Sequence, residues 1–238
     1  MYEYENYYID FMTNRNKGNF EIDGAINMEE WKKSKYKILF VLKETAGYKD
    51  CRTFYLKDEL KDTWLQYKQK QGNRKIQNPT YKFIAWLAKS IQIALVENRL
   101  LSNIEINKLD TGPESLIEAI EHCAIINVKK HSNPQKNSVD DDIYIEYLAN
   151  KELLKLQIKE LSPNIVFAGS SIVWKCLSDK NNGLYNDILT STVKKFECKT
   201  FNGIIFYHAN HPSAYGKHKM DKAKIHKQLF EEIKRSIG

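Results

Sequence analysis

Three short polar segments carry the side chains best suited to chemistry: Lys43-Glu44-Thr45-Ala46-Gly47-Tyr48, Asn127 with Lys129-Lys130-His131, and His211-Pro212-Ser213. A histidine held in a dry pocket can donate a hydrogen bond to a leaving oxyanion. Pro212 would fix the loop that carries His211, and the Ser213 hydroxyl could grip a phosphate. A solvated loop with incidental histidines is the plain alternative. Glu44 could orient a water for attack, with Gly47 letting backbone amides approach a ligand. Its alternative is an exposed glutamate in a polar turn. The Asn127 amide offers an acceptor and two donors, enough to read a base edge bidentately. It could equally satisfy turn backbone. The lysines beside it could hold phosphates. Ser170 could cap a helix whose free amides face a phosphate.

These residues need a frame. Residues 37–42, 123–128, 164–168 and 203–207 are short apolar runs typical of buried strands. Between them lie stretches with helical spacing. Residues 81–96 repeat Phe83, Ile84, Leu87, Ile91 and Leu95. Residues 143–161 place Tyr147, Leu148, Leu154 and Ile158 inward and stop before Pro163. A helix opens at Gly169-Ser170-Ser171, and residues 220–237 form a closing helix with Ile225, Leu229, Phe230 and Ile233 on one face. Asp110-Thr111-Gly112-Pro113 and Asn181-Asn182-Gly183 read as turns, and 129–142 as an exposed polar connection. The alternation predicts an α/β fold: a three-layer α/β/α sandwich around a mainly parallel sheet of four to five strands. Residues 1–35 are expected to be a helical extension packed on a single α/β domain spanning 36–238. In open sheets of this kind ligands gather at the carboxyl ends of the strands, which is where the three polar segments fall.

The bulk properties narrow the class. The chain has 238 residues, 42% of them hydrophobic, which suits one well-buried core. Its longest apolar runs are far too short to cross a bilayer. The acidic, aromatic start MYEYENYYID is unlike a signal peptide, so a soluble cytoplasmic monomer is expected. Lys plus Arg outnumber Asp plus Glu by 37 to 30, a net charge of +7 that suits a polyanion, although an ordinary lysine-rich surface would give the same count. The four cysteines, Cys51, Cys123, Cys176 and Cys198, form no C-x-x-C pair and no metal-finger spacing. Cys123 and Cys176 are expected in the core.

In their order along the chain, these segments resemble the uracil-DNA glycosylase superfamily, and most closely its families four and five. The matching residues are Glu44 and Gly47; Asn127, Lys130 and Pro134; Gln157, Ile158, Leu161, Pro163, Ile165 and Gly169; and His211, Pro212 and Ser213. The resemblance covers roughly residues 36–217. It departs from the family where Lys43 replaces a glycine and Ala46 a proline. Thr45 occupies the position of a water-activating aspartate in another branch, and His131 that of an iron-sulfur cysteine. No iron-sulfur cluster, metal or other cofactor is therefore expected.

The resemblance implies a DNA N-glycosylase that flips a base from the stack and hydrolyses its bond to deoxyribose. It assigns His211 to the leaving base, Glu44 to water and the developing cation, and Asn127 to the base edge. Lys43, Thr45, Gly47, Tyr48 and Phe54 would line the base pocket. Lys130, Ser170, Ser213, Tyr215 and Lys217 would contact DNA, the expected partner. The altered first motif leaves the base open between a deaminated base, as in repair, and a bulky modified pyrimidine such as glucosylated hydroxymethylcytosine, as in phage defence. A catalytically silent DNA-binding module is the alternative of another class. No G-x-S-x-G, Walker-type or G-x-G-x-x-G loop points to an unrelated α/β enzyme.

Overall fold

Residues 38–42, Ile-Leu-Phe-Val-Leu, are buried at all five positions. A strand without polar alternation must be covered on both faces, and it forms the middle of the sheet. The computed structural model describes residues 9–10, 13–14, 20–44, 54–56, 58, 79–109, 113–131, 139–185, 197–216 and 222–237. The elements are β1 (Glu21–Ile22), β2 (Gly24–Ala25), α1 (Met28–Lys33), β3 (Ile38–Leu42), β4 (Phe54–Tyr55), α2 (Pro79–Val96), α3 (Asn103–Lys108), α4 (Pro113–Glu121), β5 (Cys123–Asn127), α5 (Asp140–Leu161), β6 (Ile165–Ala168), α6 (Ser171–Ser178), β7 (Cys198–Phe201), β8 (Ile204–His208), a 3-10 helix (Pro212–Gly216) and α7 (Lys222–Ile237).

The main sheet has six strands in the order β2-β5-β3-β6-β8-β7. Its four inner strands are parallel, the register pairing Leu42 with Asn127, Val41 with Ala168, and Ala168 with His208. The two edges, β2 and β7, run antiparallel to their neighbours. The sheet is thus mainly parallel as expected, but wider by these short edges. Within the stretch expected as a helical extension, Gly24–Ala25 forms one of those edges, while β1 pairs with β4 in a separate two-stranded ribbon.

Alternation along the strands divides the core into two layers. Phe40, Phe167, Ile125 and Tyr207 face α2, α4 and α7, packing with Phe83, Leu87, Ile120 and Leu229. Leu39, Val41, Ile126, Val166 and Phe206 face α5 and α6, packing with Tyr147, Leu154, Ile158 and Val173. Each such side chain contributes about 1.5–3 kcal/mol by leaving water, which is why these positions fix the α/β/α architecture.

Local signals set the helix ends. Asp140, Asp141 and Asp142 lie in the first turn of α5, where the helix dipole favours negative charge. Ser162 caps its end at φ 45°, ahead of Pro163. Leu148, expected inward, is instead 45% exposed on this helix. Its neighbour Tyr147 takes the buried place, and the step of about 100° per residue turns Leu148 toward solvent. The turn expected around Pro113 is followed at once by α4, with Pro113 as its first residue, a position that needs no backbone N–H. Cys123 and Cys176 are buried as expected. Among the described residues no helix is long and apolar enough to cross a membrane.

Candidate active site at the carboxyl edge of the sheet

The backbone ladder continues past the ends of the inner strands and holds their exits together. Val128 N–H donates to the Leu42 carbonyl at 2.9 Å and Lys129 N–H to the Lys43 carbonyl at 2.8 Å. Gly169 N–H donates to the Val41 carbonyl at 2.9 Å, and Ala209 N–H to the Ala168 carbonyl at 3.0 Å. Glu44, Asn127 and His211 therefore issue from one edge, the first two from adjacent strands.

Gly169 lets the distant β8 exit join them. A Cβ there would lie 2.6 Å from Leu42 Cδ2, 3.1 Å from the Val41 carbonyl oxygen and 3.3 Å from Pro212 Cδ. Pro212 thus leans across β6 toward the end of β3, and a side chain at position 169 would make Leu42 and Pro212 give way. Pro212 opens the 3-10 helix, which packs against α2.

This places His211 in a partly buried position near Lys43. Burial first, and the Lys43 charge second, pull its pKa from 6.5 down to about 4, so the imidazole is neutral at physiological pH. Its tautomer follows from its neighbours. Ser213 N–H points at His211 Nδ1 at 3.3 Å, and the Ser213 hydroxyl lies 2.8 Å from the same nitrogen. A backbone N–H can only donate, so Nδ1 is the acceptor and the ring proton sits on Nε2. Ser213, expected as a phosphate ligand, has its hydroxyl turned to the imidazole and orients it. His208 has a different place: its ring stacks on Trp174 at 4.7 Å and 10°.

Glu44 is buried, its side chain 1% exposed, with Lys129 Nζ 3.6 Å from Oε2. A buried carboxylate needs a nearby cation to remain charged, and Lys129 supplies it from the neighbouring strand exit. Lys43 pairs with Asp140 at the start of α5 at 2.5 Å.

Asn127 is buried at the end of β5. Its Nδ2 donates to Glu21 Oε1 at 3.0 Å, and its backbone N–H donates to Asp23 Oδ2 at 2.6 Å. Lys130, expected to contact DNA, does not reach the surface. It is completely buried, donating to Asp23 Oδ1 at 2.7 Å, Asp23 Oδ2 at 2.8 Å and Gln157 Oε1 at 2.9 Å. Gln157 Nε2 in turn donates to Asp23 Oδ1 at 3.0 Å. All three ammonium donors are used within the core, so a phosphate role for Lys130 is excluded by geometry. Ser170 is likewise buried, accepting from Val173 N–H at 3.2 Å as the cap of α6, so its oxygen serves the helix.

Thr45, Gly47, Tyr48 and Lys217 lie outside the described residues, as do the side chains of Phe54 and Tyr215. Sequence reasoning missed Glu21 and Asp23, which hold Asn127, and gave Lys129 to phosphate where the structure pairs it with Glu44. Lys129 differs from Lys130 only by parity along the exit of β5. Glu21 and Asp23 had one signal, two acids alternating with Phe20 and Ile22 in an extended segment. Among the described residues no group of three or more His, Cys, Asp or Glu side chains is placed to hold a metal ion.

No protein-family model matches this chain. A 64-residue stretch is 36% identical to histidinol-phosphate aminotransferase 2 of Idiomarina loihiensis, taking in 27% of this chain. The chain spans 18% of the length of that relative, and the likeness is confined to this segment.

Proposed function

We propose that this protein is a DNA glycosylase that excises a modified or damaged base by hydrolysis and leaves an abasic site. The observation that carries the reading is the neutral, Nε2-protonated His211 issuing from the same sheet edge as the buried carboxylate of Glu44. Breaking a base–deoxyribose bond sends an electron pair onto the base and leaves cationic character on the sugar. A neutral imidazole N–H can stabilise the first without a competing proton, and a carboxylate can stabilise the second while orienting the attacking water. Asn127 reads the flipped base, and DNA is the partner of a monomer working in the cytoplasm. The net charge of +7 suits that partner. A Glu44 turned to solvent would have favoured a catalytically silent module, and its side chain is instead held inside the sheet edge beside Lys129.

The test is to incubate the protein with DNAs carrying uracil, hypoxanthine, hydroxymethylcytosine or its glucosylated form, and then treat them with alkali. Strand breaks at the modified position identify the base. Intact DNA across the whole panel contradicts the reading.

A further inference from the structure

We infer that Glu21 is the residue that sets which base Asn127 accepts, a role that rests on the glycosylase reading above. An asparagine amide is symmetric in shape but not in hydrogen bonding, and rotation by half a turn exchanges its acceptor with its donor. Uracil and cytosine differ in that order: uracil offers a donor at N3 and an acceptor at O4, while cytosine offers an acceptor at N3 and a donor at N4. An amide free to turn reads both, whereas a locked amide reads one.

Glu21 supplies the lock. Its carboxylate is fully buried and lies 3.0 Å from Asn127 Nδ2. Glu21 Oε1 accepts in this contact, so the amide turns its nitrogen toward Glu21. That fixes the order in which Oδ1 and the second Nδ2 hydrogen lie along the amide. The backbone of Asn127 is held by Asp23, which is itself clamped by Lys130 and Gln157. Glu21 is tied to the same frame, since its N–H donates to the Lys130 carbonyl at 2.8 Å. Backbone and side chain of Asn127 are thus held by two acids of one N-terminal segment, and Glu21 acts on the base through Asn127.

Glu21→Gln is the informative variant. Glutamine keeps the shape and can still accept from Asn127 Nδ2, so the fold and thermal midpoint stay close to those of the wild type. It can also turn its own amide and donate to Oδ1, which makes both orientations of Asn127 accessible. The assay is single-turnover base release from oligonucleotides of one sequence, carrying either a uracil-type or a cytosine-type base. The ratio of the two rates is expected to fall about tenfold, within the range that one bidentate contact contributes to discrimination. Glu21→Asp, which keeps an acceptor-only group, should hold more of the ratio than Glu21→Gln. If the wild type releases base and Glu21→Gln changes both rates equally, Glu21 is only structural and this inference is overturned while the glycosylase reading stands. If the wild type releases no base from any substrate, both fall together.

Discussion

Replacing Lys130 with methionine separates a structural lysine from a DNA-contacting one. Methionine approximates the length of the lysine stem but deletes three buried hydrogen bonds, two to Asp23 and one to Gln157. Asp23 is 5% exposed and would be left as a buried carboxylate without its counter-ion. Removing one partner of a buried ion pair costs about 3–5 kcal/mol, because the remaining charge stays desolvated. At about 2–4 °C per kcal/mol for a chain of this size, the thermal midpoint should fall by roughly 6–20 °C. Adding Asp23→Asn removes the orphaned charge and should restore part of the loss. Calorimetry or circular dichroism reads the midpoint. Below the melting temperature, the salt dependence of DNA binding should match that of the wild type, since no phosphate contact is lost. An unchanged midpoint with a shallower salt slope would refute the reasoning and return Lys130 to the DNA surface.

Two further outcomes follow from the geometry. His211 should show neutral imidazole nitrogen shifts, with the proton on Nε2, down to pH 5.5 by NMR, and should titrate only near pH 4. Because its folded pKa lies below its unfolded value, the unfolded state binds the proton first. His211 therefore lowers stability as pH falls from about 6.5 toward 4 and has no effect above that window. A midpoint near 6.5 would remove the buried, Lys43-facing environment. Gly169→Ala places a methyl 2.6 Å from Leu42 and 3.3 Å from Pro212. Overpacking of this kind costs about 1–3 kcal/mol, and chemical denaturation should show it together with slower base release, since the His211 loop must retreat. Full stability and activity in this variant would mean that Pro212 does not close over β6.

The parts of the fold that were legible in the sequence are those where one element is buried on both faces or repeats over several turns. β3, β5 and β6 are uninterrupted apolar runs, and α2 and α7 repeat their apolar residues over 18 and 16 positions. The antiparallel edges were not legible, because β2 has two residues and β7 is only partly buried, leaving no pattern to read. Leu148 shows the limit of spacing alone: Tyr147 and Leu148 are both apolar, and only packing decides which turns inward. At the site, the strand-end placement of Glu44, Asn127 and His211 could be read from the runs before them. The burial of Lys130 could not, because its partner Asp23 is 107 residues away. The orienting role of Ser213 was hidden for a different reason: a serine two residues after a histidine can face either the ring or solvent, and the 3-10 turn chooses.

The most direct test of the central claim compares single-turnover base release with DNA binding in Glu44→Gln and His211→Ala. Loss of an oxyanion donor or a charge-stabilising carboxylate should slow release by roughly a hundredfold or more, with affinity for the same DNA within a few-fold of the wild type. Wild-type rates of base release in both variants would contradict the assignment of this sheet edge as the catalytic site.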